Sequence, residues 1–104
     1  MSNNIEILFL NQSNTILLSG ELFYENVNVA HRKILSIFNS LECNNIKVCF
    51  KDLRYCDIVG IQLILSLLKT LASKSIKYNI VNLNKDIIEL IKYHGFDENY
   101  FYSQ

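Results

Sequence analysis

The residues able to do chemistry are few and scattered: His31 and His94, three cysteines (Cys43, Cys49 and Cys56), and two carboxylates, Asp52 and Asp57. The cysteines are odd in number and fit neither a C-x-x-C motif nor a paired disulfide framework, so they read as reduced thiols filling the role of small apolar side chains. Cys56 stands apart because it precedes the expected start of a helix, where a thiolate is favoured. His31 is expected on the inner side of the first helix as a packed histidine, and His94 at the end of the last helix, where a cation complements the dipole. Asp52 and Asp57 flank one turn and together would make an acidic pair, but turn and cap roles account for both. The chain carries no G-x-S-x-G elbow, Walker-type loop or H-E-x-x-H pair, so local motifs build no nucleophile, phosphate cradle or metal cage. The expectation is a non-enzyme with no cofactor and no metal.

Asp57 lies where a polar turn after an apolar strand enters a very apolar helix, in DLRYCDIVGIQLILSLLKTLASKS, residues 52 to 75. A carboxylate there accepts from the free N–H groups of the first turn, a cap worth about 1 kcal/mol. Gly60, inside that first turn, costs about 1 kcal/mol against alanine, which points to close backbone packing or an approaching partner. On a helical wheel Ile61, Ile64, Leu65, Leu68, Leu71 and Ala72 form the core side. Val59, Leu63 and Leu67 form a second apolar strip flanked by Ser66 and Thr70. That strip is either a docking surface or packs beneath the first helix or the tail.

The elements that position this segment follow from hydrophobic period. Residues 5 to 10 (IEILFL) and 15 to 19 (TILLS) read as strands closed by the polar stretch Asn11 to Asn14, an antiparallel hairpin. From about residue 26, Val27, Ala30, Ile34, Phe38 and Leu41 recur at helical spacing. IKVCF at 46 to 50 is a buried strand, a second helix spans about 58 to 74, and YNIV at 78 to 81 is a strand. A third helix runs from Asn84, its N-cap, to His94, with Gly95 at the left-handed position beyond it and Phe96 folding back. The order β-β-α-β-α-β-α gives an α/β fold: a mixed sheet with an N-terminal antiparallel hairpin and parallel strands from β-α-β units, covered by helices. Strand order and the form of the tail NYFYSQ stay open.

Composition narrows the partner. The 104 residues are half hydrophobic, the size of one domain spanning 1–104, and ten basic residues balance ten acidic ones. That balance lacks the footprint of a nucleic-acid or anionic-membrane binder. The opening MSNNIEILFL has no basic leader, and no apolar run approaches the roughly 18 residues of a membrane span. A cytoplasmic protein without membrane insertion is expected.

LSGELFYENV, with Gly20 and Glu21, and IKVCFKDLRYCDIVGIQLILSLLKTL together resemble the STAS domain, named for sulphate transporters and anti-sigma factor antagonists. VNLNKDIIELIKYHGF matches its closing strand and helix, so the likeness covers nearly the whole chain. The resemblance implies a module that binds partner proteins, and in many members a switch in which a Ser or Thr between the motif Asp and Gly is phosphorylated. Here that motif reads Asp57, Ile58, Val59, Gly60, and Ile58 has no hydroxyl at the phosphoacceptor position. Asp57, Ile58, Val59, Gly60, Leu63 and Leu67 are therefore the expected partner contacts. By resemblance the partner is an ATPase-type regulator of the anti-sigma kinase kind, or the ATPase of a lipid-transport ABC system braced by a small STAS subunit. Ser66 and Thr70, in a helix interior, are poor substitute acceptors.

Overall fold

The computed structural model describes residues 4–97. Its element order is β1 (Ile5–Leu10), β2 (Thr15–Leu22), α1 (Val27–Ser40), β3 (Asn45–Cys56), α2 (Ile58–Ser73), β4 (Lys77–Val81) and α3 (Lys85–Tyr93), as the hydrophobic periods require. The four strands lie side by side in chain order, β1-β2-β3-β4. The first pair is antiparallel, and β2/β3 and β3/β4 are parallel. The tail NYFYSQ falls outside the described residues.

One face of the sheet carries the core. Ile5, Ile7, Ile16, Leu18, Ile46, Val48 and Phe50 alternate inward and join Ala30 and Ile34 of α1, Ile61 and Leu71 of α2 and Ile87 and Ile91 of α3 in a single cluster. The alternate residues of the same strands, among them Glu6, Leu8, Leu10 and Lys47, are exposed. The sheet therefore has a helix-covered face and an open face, the pattern that period-2 alternation produces.

Two strands are longer than their apolar stretches. β2 continues from Ser19 to Leu22 and β3 from Phe50 to Cys56, pairing in parallel through register shifts between Leu17 and Ser19 and between Gly20 and Glu21. Gly20 makes the irregularity possible. It sits at φ +104°, and a Cβ there would lie 2.2 Å from the Asn4 carbonyl oxygen. Asp52 is thus not a turn residue: it lies within β3, exposed, opposite Ser19. Four residues of extended chain, five steps of about 3.3 Å or about 16 Å in all, separate it from Asp57, so the acidic pair does not form.

The last helix is terminated as its sequence implies. Asn84 Oδ1 accepts from Ile87 N–H at 2.9 Å, and its amide donates to Leu53 O at 2.9 Å, tying α3 to β3. Gly95 takes φ +85°, Phe96 N–H returns to Ile91 O at 3.0 Å, and the Phe96 ring packs on the core.

Candidate functional site

The site grows from the step between β3 and α2. Asp57, in extended conformation at the N-cap, accepts from Gly60 N–H through Oδ1 at 2.8 Å. Its other oxygen, Oδ2, accepts from Tyr24 N–H at 3.0 Å, across 33 positions of sequence. Its own N–H donates to Leu22 O at 3.2 Å. One carboxylate thus fixes both the start of α2 and the loop after β2. That loop is shaped further by Asn26, whose Oδ1 accepts from Phe23 N–H at 3.0 Å and whose amide donates to Glu21 O at 2.8 Å. Capping was readable from sequence; the bond to Tyr24 was not, because only the parallel pairing of β2 with β3 brings the two segments together.

Gly60 is buried, and an added Cβ would stand 2.5 Å from Leu22 O and 3.1 Å from Cys56 Cβ. Of the two readings of this glycine, close backbone packing is the one the geometry supports. Cys56, fully buried beside it, is the opposite of an activated nucleophile: burial first, and the Asp57 carboxylate second, push its thiol up to about 12. The expected thiolate-favouring position is corrected accordingly, since loss of solvent outweighs the helix dipole. His31 is also displaced from its expected place. The inward stripe of α1 is narrow, Ala30, Ile34 and Phe38, and His31 lies exposed beside the seam with α2.

The apolar strip on α2 is divided. Leu67, expected on the outer side, is only 2% exposed and belongs to the core. Leu63 and Val59 are half-buried, Leu63 packing against the core. The cause is α1, which lies along this flank and leaves a cavity of only about 20 Å³ among Ile34, Phe38, Leu63 and Leu67. The inward stripe of α2 is rotated to match: Leu67 joins Ile61, Ile64, Leu68 and Leu71, while Leu65 is half-buried and Ala72 is exposed. Ile58, in contrast, is 42% exposed. Tyr24, held by the Asp57 carboxylate, is 71% exposed. Sequence reasoning missed Tyr24; an aromatic in a polar loop directly after a strand was the available signal. Ser66 is exposed, and the Thr70 hydroxyl donates to Ser66 O at 2.9 Å. Among the described residues, no group of three or more His, Cys, Asp or Glu is placed to hold a metal ion, and no helix is long and apolar enough to cross a membrane.

This arrangement has one rigid carboxylate whose acceptors face backbone donors, and an apolar, aromatic surface beside it. A family model of the STAS domain matches residues 6–103. The chain belongs to the STAS domain family. Two solved structures share the STAS fold with it. The Bacillus cell fate determinant SpoIIAA in its phosphorylated form is 20% identical, with a TM-score of 0.62 over 88% of this chain and 84% of that one. The anti-sigma factor antagonist SpoIIAA in its unphosphorylated form is 18% identical, with a TM-score of 0.65 over 88% of this chain and 81% of that one. None of the curated proteins matches the chain.

Proposed function

We propose that this STAS domain is a non-enzymatic protein-interaction module of the anti-sigma factor antagonist kind, which docks a partner protein at the start of α2. The observation that carries this reading is that Tyr24, whose N–H is held by Asp57, and Ile58, next to Asp57 in the chain, are both exposed beside a carboxylate engaged through both oxygens. An aromatic and an aliphatic side chain on a rigid base lose little freedom on binding and present the area that interface anchors use. The expected contact set changes accordingly. Ile58, Val59 and the exposed edge of Leu63 remain, Tyr24 joins them, Asp57 and Gly60 act as the frame, and Leu67 is core.

SpoIIAA is described in phosphorylated and unphosphorylated forms, and family members that switch carry a hydroxyl between the motif Asp and Gly. In those members a phosphate adds about −1.5 to −2 charges beside the carboxylate and blocks docking. With Ile58 at that position, this face stays permanently competent, and control falls to the partner or to abundance. The partner of first choice is an ATPase-type regulator resembling an anti-sigma kinase. A second reading, the ATPase subunit of a lipid-transport ABC system, is favoured by the same Ile58, since a bracing subunit has no use for an acceptor.

Affinity capture of the tagged protein, with Ile58→Glu in parallel, tests the proposal. A stoichiometric ATPase retained by wild type and lost from the equally folded variant is the expected result, because a charge is tolerated at an exposed position but costly to desolvate at an interface. A histidine-kinase-like ATPase selects signalling, and an ABC ATPase selects transport. Identical retention by both proteins ends the docking reading.

A further inference from the structure

Among the described residues, β1 forms one outer edge of the sheet. Glu21 N–H donates to Asn4 O at 3.0 Å, so position 4 faces β2. Since antiparallel pairing alternates, Glu6, Leu8 and Leu10 also turn their backbone groups inward, and Ile5, Ile7 and Phe9 turn theirs outward. Of these, the Ile5 carbonyl is taken: Lys33 Nζ reaches from α1 and donates to it at 3.1 Å. Among the described residues, no hydrogen bond occupies the outward groups of Ile7 and Phe9. β1 has no proline, bulge or lysine, and Glu6 is its one charged residue among the devices by which edges are usually guarded. The other edge, β4, is shorter and carries Lys77 on the strand itself. On the open face beside the free edge stand Leu8, 47% exposed, and Leu10, 43% exposed.

We propose that this edge is a self-association site, at which a second copy of the chain pairs its β1 antiparallel about a two-fold axis through Leu8. Charge and the Lys33 contact narrow the register. An axis through Glu6 sets like carboxylates directly opposite, which destabilises a strand pair. An axis through Ile7 requires the Ile5 carbonyl, which Lys33 holds. An axis through Leu8 lets Ile7 and Phe9 exchange bonds with the partner's Phe9 and the partner's Ile7, places Glu6 opposite the partner's Leu10, and leaves Lys33 undisturbed. Leu8 then meets the partner's Leu8 in the close, non-hydrogen-bonded type of pair. The row Leu8, Leu17, Cys49 and Val81, adjacent through the sheet register, becomes continuous across the axis. Zero net charge adds no repulsion between copies.

Light scattering or sedimentation of the purified chain, from about 1 μM to about 1 mM, reads the mass. The expected result is a concentration-dependent rise from 12.1 kDa to twice that value. Leu8→Lys and Leu8→Glu, each with unchanged circular dichroism, weaken the dimer by about tenfold or more, and mixing the two variants restores it, because only at a two-fold axis does one position face itself. A wild-type monomer throughout the range, a dimer indifferent to both substitutions, or a mixture that fails to recover overturns the proposal.

Discussion

Asp57 accepts two backbone N–H groups, one from Gly60 in its own helix and one from Tyr24, 33 positions earlier, and the two bonds differ in how they were coded. The cap on Gly60 is local: an aspartate before a helical run is enough to expect it. The Tyr24 bond depends on where β2 ends, and β2 outruns its apolar residues, so nothing near Tyr24 in sequence announced it. Gly60 shows the same contrast. Its cost in a helix was visible, while its reason, the Leu22 carbonyl 2.5 Å from where a Cβ would stand, lay in another strand. Gly60→Ala therefore reverses the usual sign. Propensity alone favours alanine by about 1 kcal/mol, yet the substitution is expected to destabilise the fold by about 1–3 kcal/mol, as overpacking against unyielding backbone does. A lower urea midpoint at unchanged slope is the measurement that checks it.

At the scale of elements, the three helices and four strands of the described residues were legible from period and caps, and the discrepancies fall where tertiary packing decides. β3 runs to Cys56 through Lys51, Asp52, Arg54 and Tyr55, residues whose polarity read as a turn; the ladder with β2 holds them extended. On α2 a wheel identifies an apolar arc but not which flank meets a neighbour. The approach of α1 selects Leu67 and releases Ala72. Leu67 and Ile58, both in the set expected to dock, should hence respond in opposite ways. Leu67→Ala is expected to cost about 2–5 kcal/mol of stability, the range for a buried leucine. Ile58→Glu should leave the denaturation midpoint nearly unchanged while removing the partner. Paired urea titrations and binding assays on the two variants separate frame from contact.

For the whole molecule, the sequence carried the element order and the antiparallel hairpin, whereas strand order had no local code and came from how the crossovers pack. Burial of ionisable groups within this architecture sets a pH response. Cys56 has an ordinary value of 9.0 and is pushed up to about 12 in the fold, and burial raises Tyr78 as well. Below pH 9 the Cys56 thiol is protonated in both the folded and unfolded chains and contributes no pH dependence. Above it the unfolded chain loses the proton first, so stability falls as pH rises toward 12, by up to about 1.4 kcal/mol per unit for this one group. Denaturation at a series of pH values from about 8 to 11 should show a shallower decline for Cys56→Ala than for wild type.

The sequential strand order also bears on how the molecule comes into being. Each strand is laid against the one made just before it, so the sheet grows at one margin in the direction of synthesis and no strand has to be threaded between two already in place. Such a chain can gain structure while it is still emerging from the ribosome, with β1 and β2 closing first as the most local pairing. The segment from β3 into α2, which completes the surface around Asp57, is added onto a template that already exists.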